Sequence, residues 1–141
     1  MTEQTIKHLE LIHAVITRLA QNSFAYKAWA VTLVAALFAL GAKEASSQYL
    51  LVALLPAIVF WGLDAYYLRQ ERLFRKLYDA VRTAAPVDLE RNPFSMDTTP
   101  YRDQVASWWR TCWSKTIGWL YGPMVLVILL VTAITYKYAA K

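Results

Sequence analysis

The side chain with the clearest chemical potential is the carboxylate of Asp64, the one ionisable group embedded in an apolar run of this 141-residue sequence. An intramembrane carboxylate is costly unless it is paired or hydrated, so it is expected to have a partner or a function. Lys27 enters the first apolar run at a comparable depth. If the first two runs form an antiparallel hairpin, Lys27 and Asp64 can form an intramembrane ion pair that locks it. The alternative is that the Asp64 side chain extends to the interface or accepts a hydrogen bond from Tyr66, Tyr67 or the nearby tryptophans.

The other reactive side chains do not form a catalytic or metal-binding pattern. His8 and His13 are five residues apart, so on a helix they diverge by about 140° and cannot share a metal ion. Both are predicted to be packed or interfacial. The single cysteine, Cys112, excludes an intramolecular disulfide and a Cys-rich zinc site, and is predicted to be a small packing residue. Phosphate-loop, zinc-protease and serine-elbow motifs are also absent from the sequence. We therefore predict a non-enzymatic protein with no catalytic, cofactor-binding or metal-binding residues.

Three apolar runs must position these side chains, and they predict an all-α integral membrane fold. The last run, residues 117–136, holds 20 residues without a charge, which is enough to cross a hydrocarbon core of about 30 Å. The first two runs are shorter but are flanked by aromatic residues that suit the interface. We predict transmembrane segments at 24–42, 48–68 and 117–136 within a single membrane domain. The composition, 57% hydrophobic and 18% charged, is typical of this class.

The distribution of basic residues predicts the topology. Of the 15 Lys and Arg, three precede the first run and nine lie between the second and third. One lies in the first connector and two follow the last run, so a hairpin places twelve on one side and three on the other. The positive-inside rule then predicts a bacterial inner-membrane protein with a cytoplasmic N-terminus and a periplasmic C-terminus.

The cytoplasmic part is predicted to be mainly helical. Residues 3–23 form an amphipathic helix that ends at the capping residues Asn22 and Ser23. Its apolar face can lie on the inner leaflet, on another cytoplasmic helix or on a neighbouring subunit; this face comprises Ile6, Leu9, Ile12, Ile16 and Leu19. The second span is predicted to kink near Val52, because of Pro56, and then to continue as a cytoplasmic helix to residue 84.

Residues 85–116 are predicted to form a cytoplasmic loop and an interfacial helix. The loop between Pro86 and Pro100 is expected to be ordered, with apolar residues such as Phe94 and Met96 available for burial. A short helix is expected to begin near Tyr101. It leads to interfacial anchors that belong to an aromatic belt: Trp108, Trp109 and Trp113.

Two further surfaces are candidates for interactions. The helix that extends the second span carries basic residues for anionic lipid of the inner leaflet, at about 1 kcal/mol per charge; these are Arg69, Arg72, Arg75, Lys76 and Arg82. A soluble partner or RNA is the alternative, and no DNA binding is predicted. Small residues can pack either inside the chain or between subunits of a homo-oligomer, and the candidates are Ala35, Ala39, Gly118 and Gly122.

Three segments of the sequence resemble a widespread family of small bacterial inner-membrane proteins: NSFAYKAWAVTLVAALFAL, FWGLDAYYLRQERLFRKLYDAVR and NPFSMD. The architecture is also similar to small transmembrane effector and accessory proteins of anti-phage defence systems, associated with CRISPR nucleases or retrons. The resemblance implies no catalytic motif. The small size, the absence of catalytic groups, the surfaces suited to self-association and the single embedded carboxylate together predict an oligomeric effector that permeabilises or depolarises the inner membrane. The alternative is a membrane-anchored scaffold that recruits a soluble protein or RNA through its basic helix.

Overall fold

Two long antiparallel helices form the frame of the protein. The computed structural model describes residues 2–44, 47–85, 88 and 92–139. In these residues there is no β-strand, which confirms the all-α prediction. The helices are α1 (Glu3–Glu44), α2 (Ser47–Val52), α3 (Leu54–Thr83), a 3₁₀ helix (Thr99–Gln104), α4 (Trp108–Cys112) and α5 (Lys115–Ala139).

The helix α1 is continuous, so the predicted helix end at Asn22 and Ser23 is wrong. No proline interrupts its 42 residues, and its only glycine, Gly41, lies in the last turn. A capping residue ends a helix only where the chain also leaves helical geometry. Here the Ser23 hydroxyl has a different partner, the carboxylate of Asp64 on α3. Packing against α3 therefore overrides the local capping preference.

The second long helical segment is interrupted where the sequence predicted a kink. Pro56 cannot donate a hydrogen bond to the carbonyl of Val52. The helix is interrupted at Ala53, although its backbone angles stay in the right-handed helical region, and the flanking bond from Ala57 N to the Ala53 oxygen is long, at 3.4 Å. Beyond this point α3 runs without a break to Thr83, one residue before the predicted end.

Three helical segments in the described residues are long and apolar enough to cross a membrane. They lie in Glu3–Glu44, Ser47–Thr83 and Lys115–Tyr138, with mean hydropathies of 1.6, 1.7 and 2.2. At most 28% of the residues in any of these apolar segments are buried, so most of their side chains face outward. An apolar surface of this extent needs a lipid environment. This is the architecture of a membrane protein.

Small side chains allow the apolar segments to pack closely. Val34, Ala53, Ala57 and Ile128 form one buried cluster, which joins α1, the break after α2, α3 and α5. At the hairpin connection, a methyl group on Gly41 would lie 3.0 Å from Leu50 Cδ2, so glycine permits the close approach of α1 and α2.

The opposite end of the α1–α3 pair forms a polar-surfaced head, comprising residues 3–22, 69–83 and 92–107. Within it, Leu9, Ile12 and Ile16 of α1 pack against Leu77 and Val81 of α3. The centre of the predicted apolar face, Leu9, Ile12 and Ile16, is thus buried against the other helix of its own chain, whereas Ile6 at its N-terminal end is 47% exposed. This selects one of the three alternatives that the sequence left open.

The segment before α4 differs in detail from the prediction. Where the sequence predicted one short helix from Tyr101, the structure has the 3₁₀ helix Thr99–Gln104 followed by the separate helix α4. Phe94 and Met96 are 42% and 36% exposed, so neither is buried as expected. Phe94 has a positive φ of 59°, and its ring contacts His8 with a centroid separation of 5.7 Å. Residues 86–87 and 89–91 of the predicted loop lie outside the described residues.

Candidate functional site: a buried polar cluster

The predicted partners Lys27 and Asp64 lie in direct contact. Lys27 Nζ is 2.6 Å from Asp64 Oδ2 and 2.8 Å from Oδ1. The Asp64 side chain is fully buried, whereas that of Lys27 is 24% exposed. Lys27 can therefore reach water while it neutralises the carboxylate. Of the alternatives for Asp64, the structure shows the lysine rather than Tyr66 or Tyr67.

Ser23 is a third member of the cluster, which the sequence analysis assigned to a helix cap. Its hydroxyl donates a hydrogen bond to Asp64 Oδ1, and Lys27 Nζ donates to Ser23 Oγ over 2.9 Å. Ser23 and Lys27 are four residues apart, so both project from the same face of α1 towards α3. That spacing is the signal in the sequence that could have identified Ser23 as a partner.

The third apolar helix contributes Tyr121. Its side chain is fully buried, and its hydroxyl lies near the Asp64 carboxylate. Neither Tyr121 Oη nor Asp64 Oδ2 forms a hydrogen bond of good geometry with a described residue, so Oδ2 is held by the ion pair with Lys27. We call Ser23, Lys27, Asp64 and Tyr121 the polar cluster. It connects α1, α3 and α5 at one level.

The six tryptophans lie at the same level as the polar cluster. Trp61 stacks on Tyr121, with ring centroids 6.0 Å apart, and contacts Trp113 at 5.1 Å. Trp108 donates its indole N–H to the Gly62 oxygen over 3.0 Å and contacts Trp109 at 4.8 Å. The remaining two tryptophans are Trp29 and Trp119. Each lies two residues along its helix from a member of the polar cluster, so both lie near its level.

Most of these indoles face outward, as expected for residues at a water–lipid boundary. Trp29, Trp109, Trp113 and Trp119 are between 59% and 78% exposed. Tryptophan is enriched where lipid meets water, so the belt predicts that this boundary lies close to the polar cluster. Trp108 differs from its neighbours, because its hydrogen bond ties α4 to α3.

The predicted basic face divides into paired and unpaired residues. Arg75 binds Glu71 Oε1 over 2.7 Å, and Arg82 lies 3.6 Å from Asp79 Oδ1. Arg69 donates through Nε to the Ala106 oxygen over 3.1 Å. Arg72 and Lys76 form no ion pair within the described part of the chain.

The small residues singled out from the sequence do not pack inside the chain. Ala35 and Ala39 are exposed on α1. A methyl group on Gly118 would meet only the Trp113 backbone, at 3.8 Å, and one on Gly122 would meet nothing within 4 Å. Close helix packing at these four positions is therefore absent from the described monomer. The second alternative, packing between subunits, stays a prediction.

Of the two histidines and the cysteine, His8 and Cys112 are buried and His13 is exposed to solvent. His8 is buried, and its Nε2 lies 2.9 Å from the Ser95 oxygen, so this nitrogen carries the proton and donates. His13 is exposed. Cys112 is buried in the cluster with Ala30 and Ile117, and its burial raises the pKa of the thiol. Within the described residues, no group of three His, Cys, Asp or Glu side chains is placed to hold a metal ion.

Comparisons with protein-family models, curated proteins and solved structures found no match to this chain. Within the polar cluster, Lys27 neutralises the buried carboxylate of Asp64, and the cluster as a whole connects α1, α3 and α5.

Proposed function

We propose that this protein is a non-enzymatic component of the bacterial inner membrane that acts as a homo-oligomer and permeabilises or depolarises the membrane. In this proposal the head lies in the cytoplasm and the C-terminus in the periplasm, following the excess of basic residues on the head side. The setting, anti-phage defence, is suggested by the resemblance of the sequence to small defence-associated membrane proteins.

The observation that carries the proposal is the unused packing surface of the apolar helices. Ala35 and Ala39 on α1 and Gly122 on α5 have no close partner in the described monomer. In lipid, helix association depends on close van der Waals packing, which small residues permit. A second copy of the chain is the partner that such surfaces would accept in a homo-oligomer.

A single copy has no evident route for ions. The polar groups of Ser23, Lys27 and Asp64 bind one another, and the described residues around them and towards the α1–α2 connection pack into clusters of buried, mostly apolar side chains. Three helices packed in this way do not enclose a water-filled path among the described residues, so permeabilisation requires several copies around a common axis. Permeabilisation by this protein therefore requires that it forms oligomers.

The test combines oligomeric state with membrane potential. The double variant Ala35→Leu/Ala39→Leu should reduce crosslinked oligomers and abolish the depolarisation that expression of the unmodified protein causes. Leu40→Phe adds volume at a 48% exposed position on a different side of the same helix and should change neither readout. An unmodified protein that is strictly monomeric in detergent and in nanodiscs would contradict the proposal.

The ordered head supports a second candidate, a membrane-anchored scaffold. Its α1 and α3 segments share a buried core, and Arg72 and Lys76 of α3 form no ion pair with a described residue, so they could recruit an acidic soluble protein or RNA. Induced expression separates the two functions, because a scaffold leaves the membrane potential intact. Reporter fusions to both ends test the topology; a shared compartment for the two ends would overturn it.

A further inference from the structure

Three basic residues of α3 follow one face of the helix and are only partly compensated. Arg69, Arg72 and Lys76 are separated by three and four residues, and we call them the basic stripe. Like charges one helical turn apart repel each other and lower helix stability. Arg72 and Lys76 have no acidic partner among the described residues, unlike Arg75 and Arg82. A bound anion would relieve this repulsion.

A cavity of about 270 Å³ lies beside the stripe. One wall is formed by α3, through Arg72, Arg75, Lys76 and Asp79, and the other by residues 104–106. The bond from Arg69 Nε to the Ala106 oxygen holds the second wall in place.

The charges around this cavity favour an anion. Among the described residues, the only carboxylate that lines it belongs to Asp79, and Arg82 lies 3.6 Å from that group. Arg75 is already bound to Glu71. The cations that stay uncompensated are therefore Arg72 and Lys76, which face the same space.

We propose that this cavity binds a phosphate group through Arg72 and Lys76, with Arg69 in a supporting position. An arginine can bind two phosphate oxygens at once, and a lysine adds a compact point charge. This inference concerns the head alone and does not depend on pore formation. The five basic residues of α3 thus have different roles. Arg72 and Lys76 bind the phosphate and Arg69 holds the opposite wall of the cavity in place. Arg75 and Arg82 are paired with acidic residues of α3.

Two sources can supply the phosphate. With a rise of 1.5 Å per residue, Arg69 lies about 8 Å beyond Asp64 and Lys76 about 18 Å beyond it. The headgroup layer on one side of a bilayer is about 5–7 Å thick. If the boundary lies near the polar cluster, Arg69 lies at the outer edge of the headgroup layer and the backbone of Arg72 and Lys76 lies in water beyond it, from where their long side chains can extend back towards headgroup phosphates. A phospholipid headgroup and a soluble phosphate are both compatible with this position.

The experiment uses full-length protein in two arms. In the first, native mass spectrometry of detergent-solubilised protein compares retention of phosphatidylglycerol with that of phosphatidylcholine. In the second, calorimetry in detergent measures binding of inorganic phosphate. Preference for phosphatidylglycerol without a phosphate response assigns the site to lipid, and a calorimetric phosphate response assigns it to soluble phosphate. Binding in neither arm would overturn the proposal.

Variants connect the signal to the cavity. Arg72→Gln/Lys76→Gln should weaken binding about 25-fold, since each basic residue near an anionic surface contributes about fivefold. Arg72→Lys/Lys76→Arg keeps both charges and should retain binding to within about fivefold. The control Arg18→Gln/Arg110→Gln removes the same charge from exposed positions that do not line the cavity, and should behave as the unmodified protein.

Three results would contradict the assignment. The first is unchanged binding by the Arg72→Gln/Lys76→Gln variant while circular dichroism shows an intact helical fold. The second is an equal loss in the control, which would mean that overall charge rather than this cavity is responsible. The third is displacement of the bound phosphate compound by a short single-stranded RNA at lower concentration, which would assign the stripe to RNA.

Discussion

Removal of Lys27 should destabilise the protein more than neutralisation of Asp64. The replacement Lys27→Met keeps an unbranched apolar stem but leaves the Asp64 carboxylate fully buried with only the Ser23 hydroxyl as a hydrogen-bond donor. Leaving one partner of a buried ion pair without the other costs about 3–5 kcal/mol, and we expect about 3 kcal/mol because Ser23 stays in place. In Asp64→Asn the lysine, which is already 24% exposed, can move its ammonium group towards water. The expected cost is then about 1–2 kcal/mol.

The double variant gives the coupling between the two groups. With Asn at position 64 there is no carboxylate to leave uncompensated, so adding Lys27→Met should cost little more than Asp64→Asn alone. The resulting coupling energy is about 3 kcal/mol. Exchange of the charges, Lys27→Asp with Asp64→Lys, should likewise recover most of the stability that either reversal destroys.

The assay is unfolding in mixed micelles, followed by tryptophan fluorescence as the fraction of denaturing detergent rises. Lys7→Met is the matched control, because Lys7 pairs with Glu10 over 2.9 Å at side chains that are 66% and 59% exposed. Exposed pairs contribute about 0–1 kcal/mol, so this change should have little effect. Additive losses for Lys27→Met and Asp64→Asn, with no coupling, would refute the ion pair and the locked hairpin together.

Three further predictions concern the head and the packing beside the cluster. Ile12→Ala should lower the free energy of unfolding by about 2–5 kcal/mol because Ile12 is fully buried, whereas Ile6→Ala, at a position that is 47% exposed, should cost less than about 1 kcal/mol in the same assay. Hydrogen bonds from the side chain and backbone of Thr99 lower the pKa of Asp97, so its contribution to stability is present above its unfolded pKa and lost as the pH falls through the folded value. Thr99→Val should move that pKa back towards 3.8 in a carboxyl NMR titration, and an unchanged value would show that the threonine hydroxyl has no effect. Cys112 should react with a thiol reagent far more slowly in the folded than in the denatured protein, because it is buried and its pKa is raised; equal rates would contradict that burial.

Much of the fold could be predicted from local pattern. Residues 117–136 specify an apolar helix by composition, and Pro56 specifies an interruption by the absence of a donor, so both features lie where the sequence placed them. The predicted cap at Ser23 shows where local pattern misleads. Serine is common in helix caps but also occurs inside continuous helices, so its presence alone does not predict which of the two it forms. Here the contact of Ser23 with Asp64 on another helix decides for the continuous helix.

The candidate site was predicted in part. Lys27 and Asp64 carry opposite charges at comparable depths in two antiparallel segments, which made their pairing one of two open predictions, and only the structure distinguishes it from a contact of Asp64 with Tyr66, Tyr67 or the tryptophans. Tyr121 was missed because a tyrosine in an apolar run reads equally well as an interfacial anchor. Whether its hydroxyl faces lipid or the cluster depends on the rotation of α5 about its own axis, which the sequence of that helix does not reveal.

By itself, the sequence determined the helical class, the number of apolar segments and the side on which basic residues collect, because these depend on composition and on distance along the chain. Only the tertiary structure decided which faces meet. It joined α1 to α3 through a shared apolar core, brought the six tryptophans to the level of one buried carboxylate and left Arg72 and Lys76 without an ion-pair partner in the part of the chain that the structure describes. These outcomes depend on how helices rotate, tilt and approach one another, and that geometry comes from packing between segments distant in the chain.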